Sequence, residues 1–358
     1  VVVIACDQDQ DLGGLGMNIS SAKMIRTAAV VTAALMIAAC APMIAPPGPG
    51  AGPPQLTSQS FKTSDGLSLP VRQWLPDGAP TAVVLAVHGF NDYSKAFDKV
   101  PGAPGVGPYL ASHGVAVIAY DQRGFGNTAN RGLWPGRDAL VGDFAAMARS
   151  VRSAYPDVPL YAMGESMGGA VVMAALAREK NLPVAGAVLA APAVWGKRTM
   201  PVPYRVALWF GKHLLPQYKP TGKSLGRMPS DNIEMLRDNG RDPLFIKETR
   251  IDAVSGLSDL MDEALAVAGD IKVPVLYLYG KKDQIIPEGP SLRAMAEMTA
   301  ANHAARVAVY ANGWHMIMRD KEAPVVLGDV AAFLNDPRAP LPSGVDRKTP
   351  PLQTAARD

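Results

Sequence analysis

The chain has 358 residues, 48% hydrophobic and 19% charged, which is ordinary globular usage and enough to bury a sizeable core. Its 35 basic and 32 acidic side chains leave a net charge of +3 with no block of like charges, so the electrostatic footprint of a nucleic-acid binder is missing. Only Cys6 and Cys40 occur, both ahead of the first Pro-rich stretch, so the body forms no internal disulfide and its stability comes from packing.

In chain order, Lys23 and Arg26 precede an apolar run from Ala28 to Ala39 broken only by Thr32, the layout of a secretory signal. A membrane-crossing helix needs roughly 20 apolar residues, and this run is too short. It ends at Ile37-Ala38-Ala39-Cys40, which resembles the bacterial lipobox and implies lipidation of Cys40. Ala41 is not the aspartate of an inner-membrane retention signal. The expectation is an exported lipoprotein, anchored to the outer membrane and facing the periplasm. Met17 and Met24 are both candidate starts, so residues 1–40 are read as an upstream segment plus signal peptide. Residues 41–56, rich in Pro and Gly, read as an extended spacer.

The body opens with alternating segments, Gln59 to Thr63 and Leu67 to Leu75, around the turn signal Ser64-Asp65-Gly66, which predicts a hairpin. Continuous apolar runs follow at Ala82 to Val87, Val115 to Ala119, Val184 to Leu189, Val273 to Tyr279 and Val307 to Tyr310. Such runs suit strands buried on both faces of a parallel sheet. Helical patterns lie between them at Asp138 to Ala154, Met167 to Lys180, Glu288 to Ala301 and Pro324 to Leu334. The alternation predicts a doubly wound, mostly parallel α/β core over 57–194 and 269–336. No strand run occurs in 195–268, which reads as an inserted helical cap, and 337–358 reads as a flexible tail.

Gly164-Glu165-Ser166-Met167-Gly168 follows the strand-like Leu160 to Met163 and precedes a helix, the context of a nucleophile elbow. Asp283 follows the Val273 to Tyr279 run, and His315 follows the next strand. The order Ser, Asp, His after successive strands points to nucleophilic catalysis. The serine needs an imidazole to take its proton, and the imidazole needs a carboxylate to hold its tautomer. His88-Gly89-Phe90 ends the first long strand, where the backbone N–H groups of Phe90 and Met167 are candidate oxyanion donors. His88 and Asp121 read as braces of their loops rather than proton carriers. No metal-ligand spacing occurs, and this chemistry needs neither a metal nor a cofactor.

From about Phe61 to Leu334 the chain resembles the monoacylglycerol lipase and lysophospholipase branch of the α/β-hydrolases. The resemblance rests on His88-Gly89, Asp121 to Gly126, Gly164 to Gly169, Asp283 and Gly313-Trp314-His315. It implies the α/β-hydrolase fold, a cap and ester hydrolysis. Glu165 stands where members of the branch often carry histidine, and Phe90-Asn91-Asp92 departs from the usual glycine and alanine. Glu165, Trp195, Trp209 and Phe210 are the candidate substrate contacts, with an acyl chain lying in a slot beneath the cap. The expected partners are a small-molecule or lipid ester and, through the anchor, a membrane. Two other readings stand beside esterase. One is a serine aminopeptidase holding the substrate's amino terminus on Glu234, Asp238 or Asp242, and the other is a non-catalytic envelope binding protein.

Overall fold

The continuous apolar runs become strands with no exposed face. The computed structural model describes residues 41–220 and 226–347; Cys40 and the signal-like segment lie outside them. The strands are β1 (Gln55–Leu56), β2 (Ser60–Lys62), β3 (Ser68–Trp74), β4 (Ala82–Val87), β5 (Val115–Tyr120), β6 (Leu160–Glu165), β7 (Gly186–Ala190), β8 (Val275–Gly280), β9 (Ala305–Tyr310) and β10 (Asp346–Arg347). They form one sheet in the order β1-β2-β3-β5-β4-β6-β7-β8-β9-β10, with β4 to β9 parallel and both ends antiparallel. Every residue of β4 to β8 is buried.

Because side chains alternate across a strand, β4 divides its residues between two cores. Val83, Leu85 and Val87 face a core shared with helices α2 (Arg137–Ala154) and α3 (Met167–Arg178), whereas Val84 and Ala86 face α1 (Val106–Ser112) and α8 (Ala323–Asn335). The remaining helices are α4 (Val202–Leu214), α5 (Ile233–Arg241), α6 (Ile251–Ala266) and α7 (Glu288–Ala301). This is the doubly wound α/β core that the pattern predicts, and the α/β-hydrolase fold that the resemblance implies.

The structure departs from three expectations. The spacer is laid along the body rather than held away from it: the Met43 N–H donates to Asp252, Ala45 to the Trp134 carbonyl, and Gly50 and Gly52 to the Asp65 and Ser64 carbonyls. The described part of the tail packs on the body: Leu341 is buried, Ser343 bonds Asp329, and Asp346 pairs with both β9 and Arg306. Finally, the segment drawn as a cap is two different things. Ala253, Leu257, Leu260, Met261, Ala264 and Leu265 put α6 in the main core beside α3, while α4 has no buried residue at all. A 13-residue helix gains little from propensity alone, so α4 is the weakly held element.

Strand order reverses beside β4. The chain leaves β4 for β5 on one side and returns through β6 on the other, with Val87 paired to Gly164. Open α/β sheets bind ligands outside the carboxyl ends of strands at such a reversal. Here those ends carry His88-Gly89-Phe90 and Glu165-Ser166.

Candidate active site

Ser166 sits between β6 and α3 with φ +52°, in the left-handed region that costs a non-glycine residue about 1–3 kcal/mol. The surroundings hold it there. Its N–H donates to the Ala190 carbonyl at 3.0 Å, and its own carbonyl accepts from Ala193 at 2.9 Å and Ala170 at 3.1 Å. The turn leaves Ser166 partly exposed while Glu165 and Met167 on either side are buried.

Asp283 and His315 come from loops pressed together backbone to backbone. A β-carbon on Gly280 would stand 2.3 Å from the Gly313 carbonyl oxygen, and the Lys282 N–H donates to that same carbonyl at 2.9 Å. The result is a continuous chain of contacts. His315 Nε2 is 3.0 Å from Ser166 Oγ, and His315 Nδ1 is 2.8 Å from Asp283 Oδ2. Asp283 Oδ1 accepts from the Ile285 and Ile286 N–H groups at 2.7 and 2.9 Å, which fixes the carboxylate's orientation. Burial by itself lowers the basicity of His315. The Asp283 carboxylate more than offsets this and raises its pKa above the ordinary histidine value, with Glu165 adding to the rise and Arg319 opposing it. An imidazole so held can take a proton from Ser166 and keep the resulting charge beside Asp283.

Met167 is the first residue of α3, so its N–H has no intrahelical acceptor. Gly89 brings the Phe90 backbone near the nucleophile, since a β-carbon on Gly89 would lie 3.4 Å from Ser166 Cβ. His88 acts as a brace. Its Nε2 accepts the Gln122 N–H at 3.0 Å, which leaves the proton on Nδ1 facing the Gly89 carbonyl at 2.8 Å; burial holds its pKa below the ordinary value. Asp121 also binds its own neighbourhood, accepting from Ser94 and Asn127.

A cavity of about 190 Å³ opens on Ser166 and His315, with apolar walls from Phe90, Leu257, Met261, Ile285 and Met316. Of the four substrate-contact candidates only Glu165 lines it. Trp209 lies 57% exposed on α4 and lines a separate cavity of about 660 Å³ with Val202, Arg205 and Ser255. Phe210 is also exposed, and Trp195 is half-buried, edge-to-face with Tyr204. The placement of the three aromatics on an acyl slot is therefore corrected: none of them lines the cavity at Ser166, whose apolar walls come from Phe90, α6 and the loops after β8 and β9. The acids considered for an amino terminus are also elsewhere. Asp242 accepts from Tyr93 and Lys95; burial would raise its pKa, and these two partners hold it at about 2. Asp238 faces Lys95 at 3.7 Å, and Glu234 is exposed.

Sequence reasoning missed Arg319. Its guanidinium, 2% exposed, lies 2.8 Å from Asp92 and 2.9 Å from Glu165, on the wall of the same cavity. Its one signal is spacing: Arg319 follows His315 by four residues, and the two acids lie in the two departures from the usual branch pattern. Among the described residues no group of three or more His, Cys, Asp or Glu is placed to hold a metal ion.

A strained serine at a strand–helix turn, followed in chain order by an aspartate and a histidine joined to it, defines an α/β-hydrolase of the serine type. The chain belongs to the Hydrolase_4 family, described as serine aminopeptidase, S33, whose pattern it matches over residues 78–322. It is 26% identical over 295 residues to a monoacylglycerol lipase of Mycolicibacterium smegmatis, covering 78% of this chain and 96% of the relative. It is 24% identical to the monoglyceride lipase of Homo sapiens, over 76% of this chain and 87% of that one. In structure it is similar to the monoacylglycerol lipase of Paleococcus ferrophilus, with a TM-score of 0.60 at 20% identity over 75% of this chain and 99% of the other. A carboxyl esterase of Bacillus coagulans aligns with a TM-score of 0.62 at 19% identity, over 80% and 99%.

Proposed function

We propose that the protein hydrolyses carboxylic esters, of the monoacylglycerol, lysophospholipid or simple acyl kind, through an acyl-enzyme on Ser166. The observation that carries the reading is the Ser166–His315–Asp283 chain of contacts at 3.0 and 2.8 Å. In the first half-reaction Ser166 Oγ attacks the ester carbonyl as His315 Nε2 takes its proton. The oxyanion of the tetrahedral intermediate is held by the Met167 and Phe90 N–H groups. Collapse expels the alcohol, protonated by His315, and leaves the acyl group on Ser166. Water, deprotonated by His315, then releases the acid. The names of the relatives, a monoacylglycerol lipase and a monoglyceride lipase, agree with this chemistry.

The family description makes aminopeptidase the second reading. Among the described residues the cavity's acids, Asp92 and Glu165, already face Arg319, and Asp242 is committed to Tyr93 and Lys95. An ester panel run beside aminoacyl-anilides decides between them. Ester turnover that disappears in Ser166→Ala is the expected result; turnover of the anilides alone overturns it. Inertness toward both classes, with no labelling of Ser166 by a fluorophosphonate, would favour the third reading, a binding protein.

On the lipobox-like sequence we place the mature chain on the outer membrane, facing the periplasm, with lipid on Cys40. Several acyl chains anchor stably where one is marginal. Cys40→Ser should leave the membrane fraction, and an unmodified Cys40 in membrane-bound wild-type protein would overturn the assignment.

A further inference from the structure

Three loops must keep register for the triad to work: the end of β6 with Ser166, the loop after β4 with Phe90, and the loop after β9 with His315. Each contributes one charged side chain to a single buried cluster. Glu165 immediately precedes Ser166, Asp92 lies two residues beyond Phe90, and Arg319 lies four beyond His315. All three are at least nine-tenths buried. Arg319 Nη2 donates to Glu165 Oε1 at 2.9 Å, while Arg319 Nη1 and Asp92 Oδ2 form an ion pair at 2.8 Å without the alignment of a hydrogen bond. The other Asp92 oxygen accepts the Tyr93 N–H, and Glu165 Oε2 and Arg319 Nε are left without protein partners.

We propose that Arg319 is a positioning residue, fastening the His315 loop to the nucleophile turn through Glu165 and to the oxyanion loop through Asp92, and that the balance of charge in this cluster sets the pH at which His315 becomes a base. The proposal rests on the reading of Ser166, His315 and Asp283 as the catalytic triad.

A surface ion pair could be dismissed, since exposed pairs contribute little. Asp92, Glu165 and Arg319 are buried, and burial reverses that expectation. Removing one member of a buried pair strands its partner's charge in low dielectric, so the three loops are held in one arrangement by the cost of every other. A two-armed guanidinium suits this role, because its planar fork addresses two carboxylates at once where a lysine ammonium is a point charge.

The same charges act on His315. Acting on it are Asp283 from the loop after β8, Glu165 from the end of β6 and Arg319 from its own loop, which also carries Asp320; Asp92, from the region after β4, is paired with Arg319. Asp320 is engaged with the Trp314 and Glu322 N–H groups. Glu165 stabilises the imidazolium and Arg319 opposes it. Loss of Arg319 exposes His315 to two uncompensated carboxylates, whereas loss of the Glu165 charge leaves Arg319 and Asp92 as a balanced pair. The two changes therefore push His315 in opposite directions.

The test uses wild type, Glu165→Gln, Arg319→Met and Arg319→Lys, with two readouts: the acid limb of kcat/KM and the titration of the His315 imidazole by NMR. Glu165→Gln should move both midpoints down by about half a pH unit or more, and Arg319→Met should move both up by a similar amount. Arg319→Lys should hold the midpoint near that of wild type while kcat falls at nearly constant KM, because charge is kept and the fork is lost. Should Arg319→Met fail to fold, the double variant Glu165→Gln/Arg319→Met removes one stranded carboxylate. Its midpoint should lie above that of Glu165→Gln. Midpoints that stay put, or that move the same way in the glutamate and arginine variants, overturn the proposal. An inactive wild type would instead defeat the esterase reading, while the NMR titration would still report on the cluster.

Discussion

Gly168 lies directly against the last residue of β4: a β-carbon there would stand 2.0 Å from the Val87 carbonyl oxygen and 2.8 Å from that of His88. These are backbone atoms that cannot turn aside as a side chain would. The contact joins the first turn of α3 to the strand that leads into Phe90, so it sets the spacing of the two candidate oxyanion donors. Gly168→Ala should destabilise by about 1–3 kcal/mol or more, as overpacking does. Because the Met167 N–H moves with the turn, kcat should fall by more than the folded fraction does. Denaturant unfolding combined with kinetics on the folded fraction checks this, and wild-type kcat in a stable variant would contradict it.

Ser166→Ala, His315→Ala and Asp283→Asn should each fold and lose about 10³-fold or more in kcat. Their losses should not multiply, since Ser166 and His315 act as one unit. The expected ranking puts Asp283→Asn as the mildest, because the Ile285 and Ile286 N–H groups still hold one oxygen of that side chain. Near-parental ester turnover by folded Ser166→Ala contradicts the assignment.

The pH profile follows from the direction of the His315 shift. Asp283 raises the pKa above the ordinary value of 6.5. Below the folded-state value His315 carries a proton and cannot act as base, so kcat/KM should rise with pH through a midpoint above 6.5 and then level off. A midpoint well below the free histidine value, measured with chemistry rate-limiting, would contradict the Asp283 contact as the dominant influence.

Ser166, Asp283 and His315 were legible because buried parallel strands write themselves as unbroken apolar runs and this fold grafts its chemistry onto their ends. The Arg319 cluster was not. Arg319 and Glu165 are 154 residues apart, and a charged side chain in a loop reads as solvated until the fold brings its partners in. Trp209 and Phe210 illustrate a different limit: an aromatic-rich segment announces that apolar surface exists, while which face it turns to the body depends on packing of α4. Residues 42–54 misled through composition. Their Pro and Gly content suits a spacer, but the acceptors for their N–H groups, Trp134, Asp65 and Asp252, are supplied by distant parts of the chain.

Acid should loosen the fold at two identified ties. Arg123 grips Asp143 through Nε and Nη2 and Asp65 through Nη1 and Nη2, joining α2 to the β2–β3 turn, and it holds the Asp65 carboxyl below its ordinary range. Asp242 is held at about 2 by Lys95 and Tyr93 against the effect of burial. Folded-state values below the unfolded ones give stability that is present above about pH 4 and is lost as pH falls toward the folded values. Arg123→Met should cost about 3–5 kcal/mol, because it strands Asp143 without its partner. Asp242→Asn should flatten the acid limb of the stability curve. Urea midpoints between pH 2 and 7 read both effects, and an unaltered acid limb in Asp242→Asn would remove Asp242 from the account.

Reactivity should depend on acyl length over a short range only. The cavity at Ser166, about 190 Å³, lies below the roughly 300–1,000 Å³ of sites that enclose drug-sized ligands. Within it each added methylene should contribute up to about 0.8 kcal/mol, or ~4-fold in kcat/KM. The gain should stop at a short chain length, where the slot bounded by Leu257, Met261, Ile285 and Met316 is full. Met261→Ala deepens that slot and should carry the plateau to longer chains. Met261 is also core, so a stability loss of about 2–5 kcal/mol is expected alongside, and the comparison must be made on folded protein. Trp209→Ala is the control. Its side chain lies 57% exposed and lines a different cavity, so it should leave the short-chain part of the profile and the melting temperature nearly unchanged. The reverse outcome, a plateau that moves with Trp209 and ignores Met261, would mean that α4 closes over the substrate and that the acyl chain runs beneath it.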